Sequence, residues 1–90
     1  MIAIHRFDAP DDAIAAELQG LLTTLSERAG FVRGHVARAV DEPSAWVVIT
    51  EWEGVGAYRR GLSSYDVKLL SPLLGRARPE PSAFAIHAGS

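Results

Sequence analysis

Three histidines, two tryptophans and two tyrosines carry most of the chemistry this chain can offer, and it has no cysteine. Histidine exchanges a proton near neutrality because its unperturbed pKa is ~6.5. His5, His35 and His87 are therefore the candidate acids and bases. They sit on three separate segments, and no carboxylate is placed with them, which is a weak basis for a metal site. His87, close to the C-terminal end, reads as a surface residue. Arg33 suits either the stabilisation of an anion or a pairing with Glu53. Trp52 is either a packed aromatic at a strand end or the wall on which a planar ring stacks. Tyr58 and Tyr65 can donate hydrogen bonds to a ligand, although Tyr58 fits helix packing equally well. Arg59-Arg60 reads as a solvated helix face. Without cysteine there are no disulfides, thiolate metal sites or thiol nucleophiles. No serine elbow, glycine-rich phosphate loop or usefully spaced carboxylate pair occurs, so hydrolytic and nucleotide-dependent chemistry lacks a motif.

The elements that must position these residues fit in one small domain spanning 1–90. Hydrophobic residues make up 48% and charged residues 22%, the balance of a globular chain. Nine basic and eleven acidic side chains leave a formal charge of −2. A nucleic-acid binder of this size would carry a basic excess or stripe, so phosphate backbones are not expected partners. No apolar run approaches the ~20 residues that span a bilayer. The first residues, Met-Ile-Ala-Ile-His-Arg-Phe-Asp, do not read as a signal peptide, and a cytoplasmic protein is expected.

Residues 2–8 predict a strand. Pro10, Asp11 and Asp12 suit the first turn of a helix. Ile14, Leu18, Leu21, Leu22, Leu25 and Ala29 then recur at helical spacing, which predicts a helix over about 10–29 that stops at Gly30. Phe31–Val40 and Ala45–Glu53 predict a hairpin joined by the turn Asp41-Glu42-Pro43-Ser44. A second helical segment begins near Val55 and continues, bent or divided, through Ser63-Ser64 towards Pro72. A last strand is expected at about 82–88. The order β-α-β-β-α-β is the ferredoxin-like α+β arrangement, an antiparallel sheet with both helices on one face.

Pairing Val40 with Ala45 places Phe31, Arg33, His35, Trp46, Val48, Thr50 and Trp52 on one face. Val32, Gly34, Val36, Arg38, Val40, Val47, Ile49 and Glu51 then share the other. A bulge would exchange these sets beyond it. The Val-rich face is too apolar for water, and two helices cannot cover both faces. A homodimer with sheet against sheet is the expected solution. On the opposite face Arg33, His35, Thr50 and Trp52 would lie beneath the helices, where polar groups must be paired, solvated or used. The small residues Gly34, Ala37 and Ala39 leave room, so a cavity with its mouth near Arg33 and Trp52 is expected there.

Gly30-Phe31-Val32, Trp46-Val47-Val48-Ile49-Thr50-Glu51-Trp52-Glu53, Ala57-Tyr58, Ser63-Ser64 and the closing Glu80-Pro81-Ser82-Ala83-Phe84 together resemble the antibiotic biosynthesis monooxygenase family, part of the dimeric α+β barrel superfamily. The resemblance spans nearly the whole chain. It implies two copies with facing sheets and a pocket in each subunit between sheet and helices. Some members oxidise polycyclic phenols or anthrones with molecular oxygen and need no metal or flavin, so no cofactor is expected. Others degrade haem, holding the iron with a helix histidine. The matching segment here, 61–71, has no histidine, and His5 stands where that branch has an asparagine.

The resemblance places His5 on the pocket face beside Ala3 and Phe7. It implies a cofactor-independent monooxygenase in which His5 or His35 ionises an aromatic, polyketide-like phenol. Trp52, Arg33, Thr50 and Tyr65 would hold that small aromatic substrate. The competing expectation is a non-catalytic dimer that binds a small apolar ligand. Pocket volume separates the two: a cleft lined by His5, Arg33 and Trp52 favours the enzyme, and a solidly packed interface favours the binder.

Overall fold

The computed structural model describes all 90 residues. Strand β1, Ile2–Asp8, forms where a strand is expected and alternates: Ala3, His5 and Phe7 are buried, while Ile2, Ile4 and Arg6 on the other face are partly covered. Helix α1 runs Ile14–Ser26, shorter at both ends than expected. The Asp11 carboxylate accepts the Ala13 backbone N–H at 2.9 Å, so Pro10 to Ala13 form a turn leading into the helix. Its row Ile14, Leu18, Leu21 and Leu25 is buried against the sheet. Gly30 then takes a φ of 87°, a conformation that favours glycine, and turns the chain into the next strand.

Strands β2, Phe31–Arg38, and β3, Ala45–Trp52, form the hairpin. The second helical region divides into α2 (Val55–Ser63), α3 (Tyr65–Lys68) and α4 (Ser71–Leu74). Ser64 is extended at the first break, and Pro72, which has no N–H, follows the second. Strand β4 is only Ala83–Phe84, where 82–88 was expected. It pairs antiparallel with β1, Ile2 opposite Phe84. The sheet order is β2-β3-β1-β4, with antiparallel neighbours throughout. This is the ferredoxin-like α+β arrangement. The core lies on one face of the sheet, where Phe7, Trp46, Val48 and Trp52 meet Leu18, Leu21, Leu25, Tyr58 and Val67.

The hairpin register differs from the expected one by a residue. Arg38 pairs with Trp46, Val36 with Val48, Gly34 with Thr50 and Arg33 with Glu51. The turn takes up Val40, which is fully exposed, and the Ala39 N–H bonds the Ala45 carbonyl at 2.9 Å. Arg38 holds this register. Its guanidinium lies 4.7 Å over the Trp46 ring, its Nε donates to the Pro43 carbonyl at 2.6 Å, and its Nη1 is 2.8 Å from the Asp12 carboxylate. Gly34 consequently faces the helices, where a Cβ would come within 2.6 Å of the Leu22 side chain. An irregularity between Phe31 and Arg33 shifts the register again and sets Phe31 opposite Trp52.

This slip corrects the face assignment. Arg33 and His35 lie on the face away from the helices, and Val36 lies beneath them. Val32, at the irregularity, is 42% exposed. The expected Val-rich face is therefore composed differently. Val47 and Ile49 remain on it, Ile2 and Ile4 join them, and no helix of the chain covers it.

Candidate active site beneath the helices

His5 enters the core because β1 alternates, and it is only 8% exposed. Its neighbour across the interface is Tyr58, on the face of α2 that packs on the sheet with Ala57 and Gly61. The Tyr58 hydroxyl and His5 Nε2 are 3.4 Å apart, and the rings are tilted by 36°. His5 Nδ1 is buried and has no hydrogen-bond partner. Burial pushes the His5 pKa below its ordinary value, because desolvation penalises the imidazolium. The ring is thus kept neutral near pH 7, with one nitrogen engaged and the other unused.

Trp52 closes the same region. Its Nε1–H donates to Thr50 Oγ1 at 2.8 Å, a buried bond that fixes the indole and occupies the threonine hydroxyl oxygen as an acceptor. Phe31 and Tyr58 approach the indole edge-on, with centroids 5.4 and 5.9 Å away. The ring lies on the backbone of α2 at Gly61, where a Cβ would sit 2.9 Å from it. Both Thr50 and Trp52 are 1% exposed. The Trp46 Nε1–H on the same sheet face is also buried without a partner.

The structure therefore brings together His5, Thr50 and Trp52 from the sequence candidates. It separates the others. Arg33 is exposed on the opposite face and lies 3.7 Å from Glu51 rather than pairing with Glu53. His35 is exposed on that same face, beside Arg33 in a shallow recess of about 130 Å³. Tyr65 is 74% exposed at the start of α3, away from His5. The cavity expected near Arg33 and Trp52 is absent, because the register slip puts those two residues on different faces. Tyr58 is the residue that sequence reasoning left undecided. Its signal was helical spacing after Val55, which marks a core-facing position but does not reveal a histidine opposite.

No group of three histidine or acidic side chains is placed to hold a metal ion. No helix is long and apolar enough to cross a membrane.

The fold has known counterparts. SnoaB, a cofactor-independent oxygenase from Streptomyces nogalater, matches with a TM-score of 0.79 over 98% of this chain and 93% of its own, at 20% identity. The chain has the fold of the antibiotic biosynthesis monooxygenases. A crystal structure of an antibiotic biosynthesis monooxygenase gives a TM-score of 0.68, covering 96% of this chain and 99% of the other at 18% identity. Rv0793 from Mycobacterium tuberculosis matches with a TM-score of 0.75, over 99% and 96% of the two chains at 18% identity. No family model matches the sequence, and neither does any curated protein. At these identities, what the chain shares with the antibiotic biosynthesis monooxygenases is the fold.

Proposed function

We propose that this chain is a cofactor-independent oxygenase that oxidises an aromatic phenol or anthrone with molecular oxygen. A homodimer would form through the sheet face that carries Ile2, Ile4, Val47 and Ile49. The observation that carries the activity is the buried His5 imidazole, with Nε2 3.4 Å from the Tyr58 hydroxyl and Nδ1 buried without a partner. In the tautomer with its proton on Nε2, donated to the Tyr58 oxygen, the Nδ1 lone pair is free to accept a proton. Taking that proton from an anthrone leaves a carbanion rich enough in electrons to reduce oxygen. Electron transfer and recombination form a carbon–oxygen bond and a peroxide, which recovers the proton from His5. The O–O bond then breaks as the second hydrogen leaves the same carbon. Anthrone and one O₂ thus yield anthraquinone and one water. His5 and Trp52 are buried, so a substrate that reached His5 would be held away from water.

Oxygen uptake with anthrone tests this reading. His5→Ala should lower turnover by about 10²–10⁴-fold, the usual contribution of a general base. His35→Ala, on the opposite face, should change it little. Full activity in His5→Ala would remove the base assignment.

One observation favours the second reading, a non-catalytic dimer that binds a small ligand. His5, Thr50 and Trp52 are closed over, and none of the three main clefts is lined by His5 or Trp52. Absence of any oxygen uptake with anthrones and hydroquinones, alongside saturable ligand binding, would support it.

A further inference from the structure

A cleft of about 540 Å³ lies at the outermost strand of the sheet, between the start of α2 and the chain through and just beyond β4. That volume lies within the ~300–1,000 Å³ of pockets that hold small molecules. Its walls are apolar. Met1, Val55, Phe84 and Ile86 form them, with alanines at 83 and 85. Val55, Phe84 and Ile86 are 48%, 40% and 53% exposed. Three large apolar side chains half in water at one place mark a binding surface rather than a core. Arg59 is the single polar side chain of the lining. It stands one turn after Val55 and so shares that side of α2, outside the buried set Ala57, Tyr58 and Gly61.

The charge of this cleft is unanswered within the chain. Arg6, Arg28, Arg33, Arg38, Arg76 and Arg78 each reach a carboxylate, whereas Arg59 pairs with none. The first turn of α2 has no acidic residue, and no acid lines the cleft. The cleft of similar size between α1 and the α3–α4 segment differs on this point, because its Arg76 already donates to Glu17 at 2.8 Å. Apolar walls with one free guanidinium select a ligand that is apolar apart from a single negative charge. The planar fork of arginine matches the two oxygens of a carboxylate. No second polar side chain lines the cleft, so the hydroxyls of a more polar ligand would find no partner there. We propose that the cleft binds a free alkyl carboxylate of the fatty-acid class, with its carboxylate on Arg59 and its chain along Val55, Phe84 and Ile86. The site shares no lining residue with His5, Thr50 and Trp52 and does not depend on the oxygenase reading.

Calorimetric titration with dodecanoate, held below its micelle concentration, tests it. Saturation at one molecule per chain is expected, with affinity rising from octanoate through decanoate to dodecanoate. A fully buried methylene strengthens binding roughly three- to fourfold, so each added pair in an open cleft should give about threefold or more. Dodecanol and dodecyltrimethylammonium keep the chain but lack the carboxylate, and they should bind several times more weakly. Arg59→Gln should weaken dodecanoate binding by roughly three- to tenfold, and Arg59→Lys should recover part of the loss. Val55→Ser and Ile86→Ser, both at exposed positions, should weaken it while leaving the melting temperature nearly unchanged. Arg76→Gln should leave it unaltered, and a loss there instead of in Arg59→Gln would put the ligand in the other cleft and overturn the site. No saturable binding would also overturn it. Equal affinity for dodecanol, or unchanged affinity in Arg59→Gln, would overturn the ligand class. Association with phosphatidylglycerol vesicles without binding of dodecanoate would make the cleft a membrane contact, against the proposal. Altered sedimentation in Val55→Ser and Ile86→Ser with dodecanoate affinity intact would make it an interface between copies, and the proposal would fail.

Discussion

His5 and Tyr58 meet across the sheet–helix interface, Nε2 to hydroxyl at 3.4 Å, and they come from positions 53 residues apart. The contact joins the middle of the first strand to the helix after the third. It gives a buried imidazole a single polar partner, and that arrangement makes the protein's stability depend on pH.

Burial lowers the folded-state pKa of His5 below its unfolded value of ~6.5. The unfolded chain therefore binds a proton that the folded chain refuses. Stability is fully present above pH ~6.5 and falls as pH drops towards the folded pKa. Thermal unfolding followed between pH 8 and pH 5 should show the melting temperature falling on the acid side. His5→Gln should flatten that slope relative to the unaltered protein. An unchanged slope would mean that other groups carry the acid sensitivity.

Trp52 packs on Gly61 with little slack. Trp52→Ala should destabilise the fold by about 3–5 kcal/mol, as expected for a fully buried aromatic. Gly61→Ala gains ~1 kcal/mol of helix propensity but drives a Cβ to 2.9 Å from an indole that cannot retreat. Overpacking of about 1–3 kcal/mol should offset that gain. Urea denaturation curves measure both, and a stabilised Gly61→Ala would show that the indole has room to move.

Ile2, Ile4, Val47 and Ile49 form an apolar patch on the sheet face that no helix covers, and each is partly exposed. If two copies associate there, sedimentation should give a species near twice 9.7 kDa. Val47→Asp would place an unpaired carboxylate in the interface and should dissociate it. A folded monomer for the unaltered protein would end the dimer proposal.

Haemin should bind weakly. The segment 61–71 that would have to supply an axial histidine contains none, and His5 is enclosed beneath the helices. A tight complex with the Soret band of a histidine-ligated ferric haem would contradict this expectation.

Much of the architecture was written locally. The alternation of Ile2–Asp8, the period of Ile14, Leu18, Leu21 and Leu25, and the β-rich run of Ala45–Trp52 each bury an apolar face through their own spacing, and spacing is a property of sequence alone. Those patterns determined β1, α1 and β3 and put Thr50 and Trp52 on one face, whereas β1 has Ile2 and Ile4 on one side and Ala3, His5 and Phe7 on the other, so its spacing alone did not choose the side that turns inward. The register of β2 against β3 was different in kind. Both faces of β2 carry apolar and polar residues, so its pattern does not choose between two pairings one residue apart. Only the packed molecule decides. Arg38 stacks on Trp46 and reaches Asp12 at the start of α1, while Gly34 accommodates Leu22. These contacts join residues distant in sequence, and they turn Arg33 and His35 away from the helices. The breaks around α3 fall at Ser64 and just before Pro72, where the sequence already marked a bend or division. The pairing of His5 with Tyr58 was decided by tertiary structure, because helical spacing gives Tyr58 only a face of α2, and the partner it meets there depends on how α2 crosses the sheet.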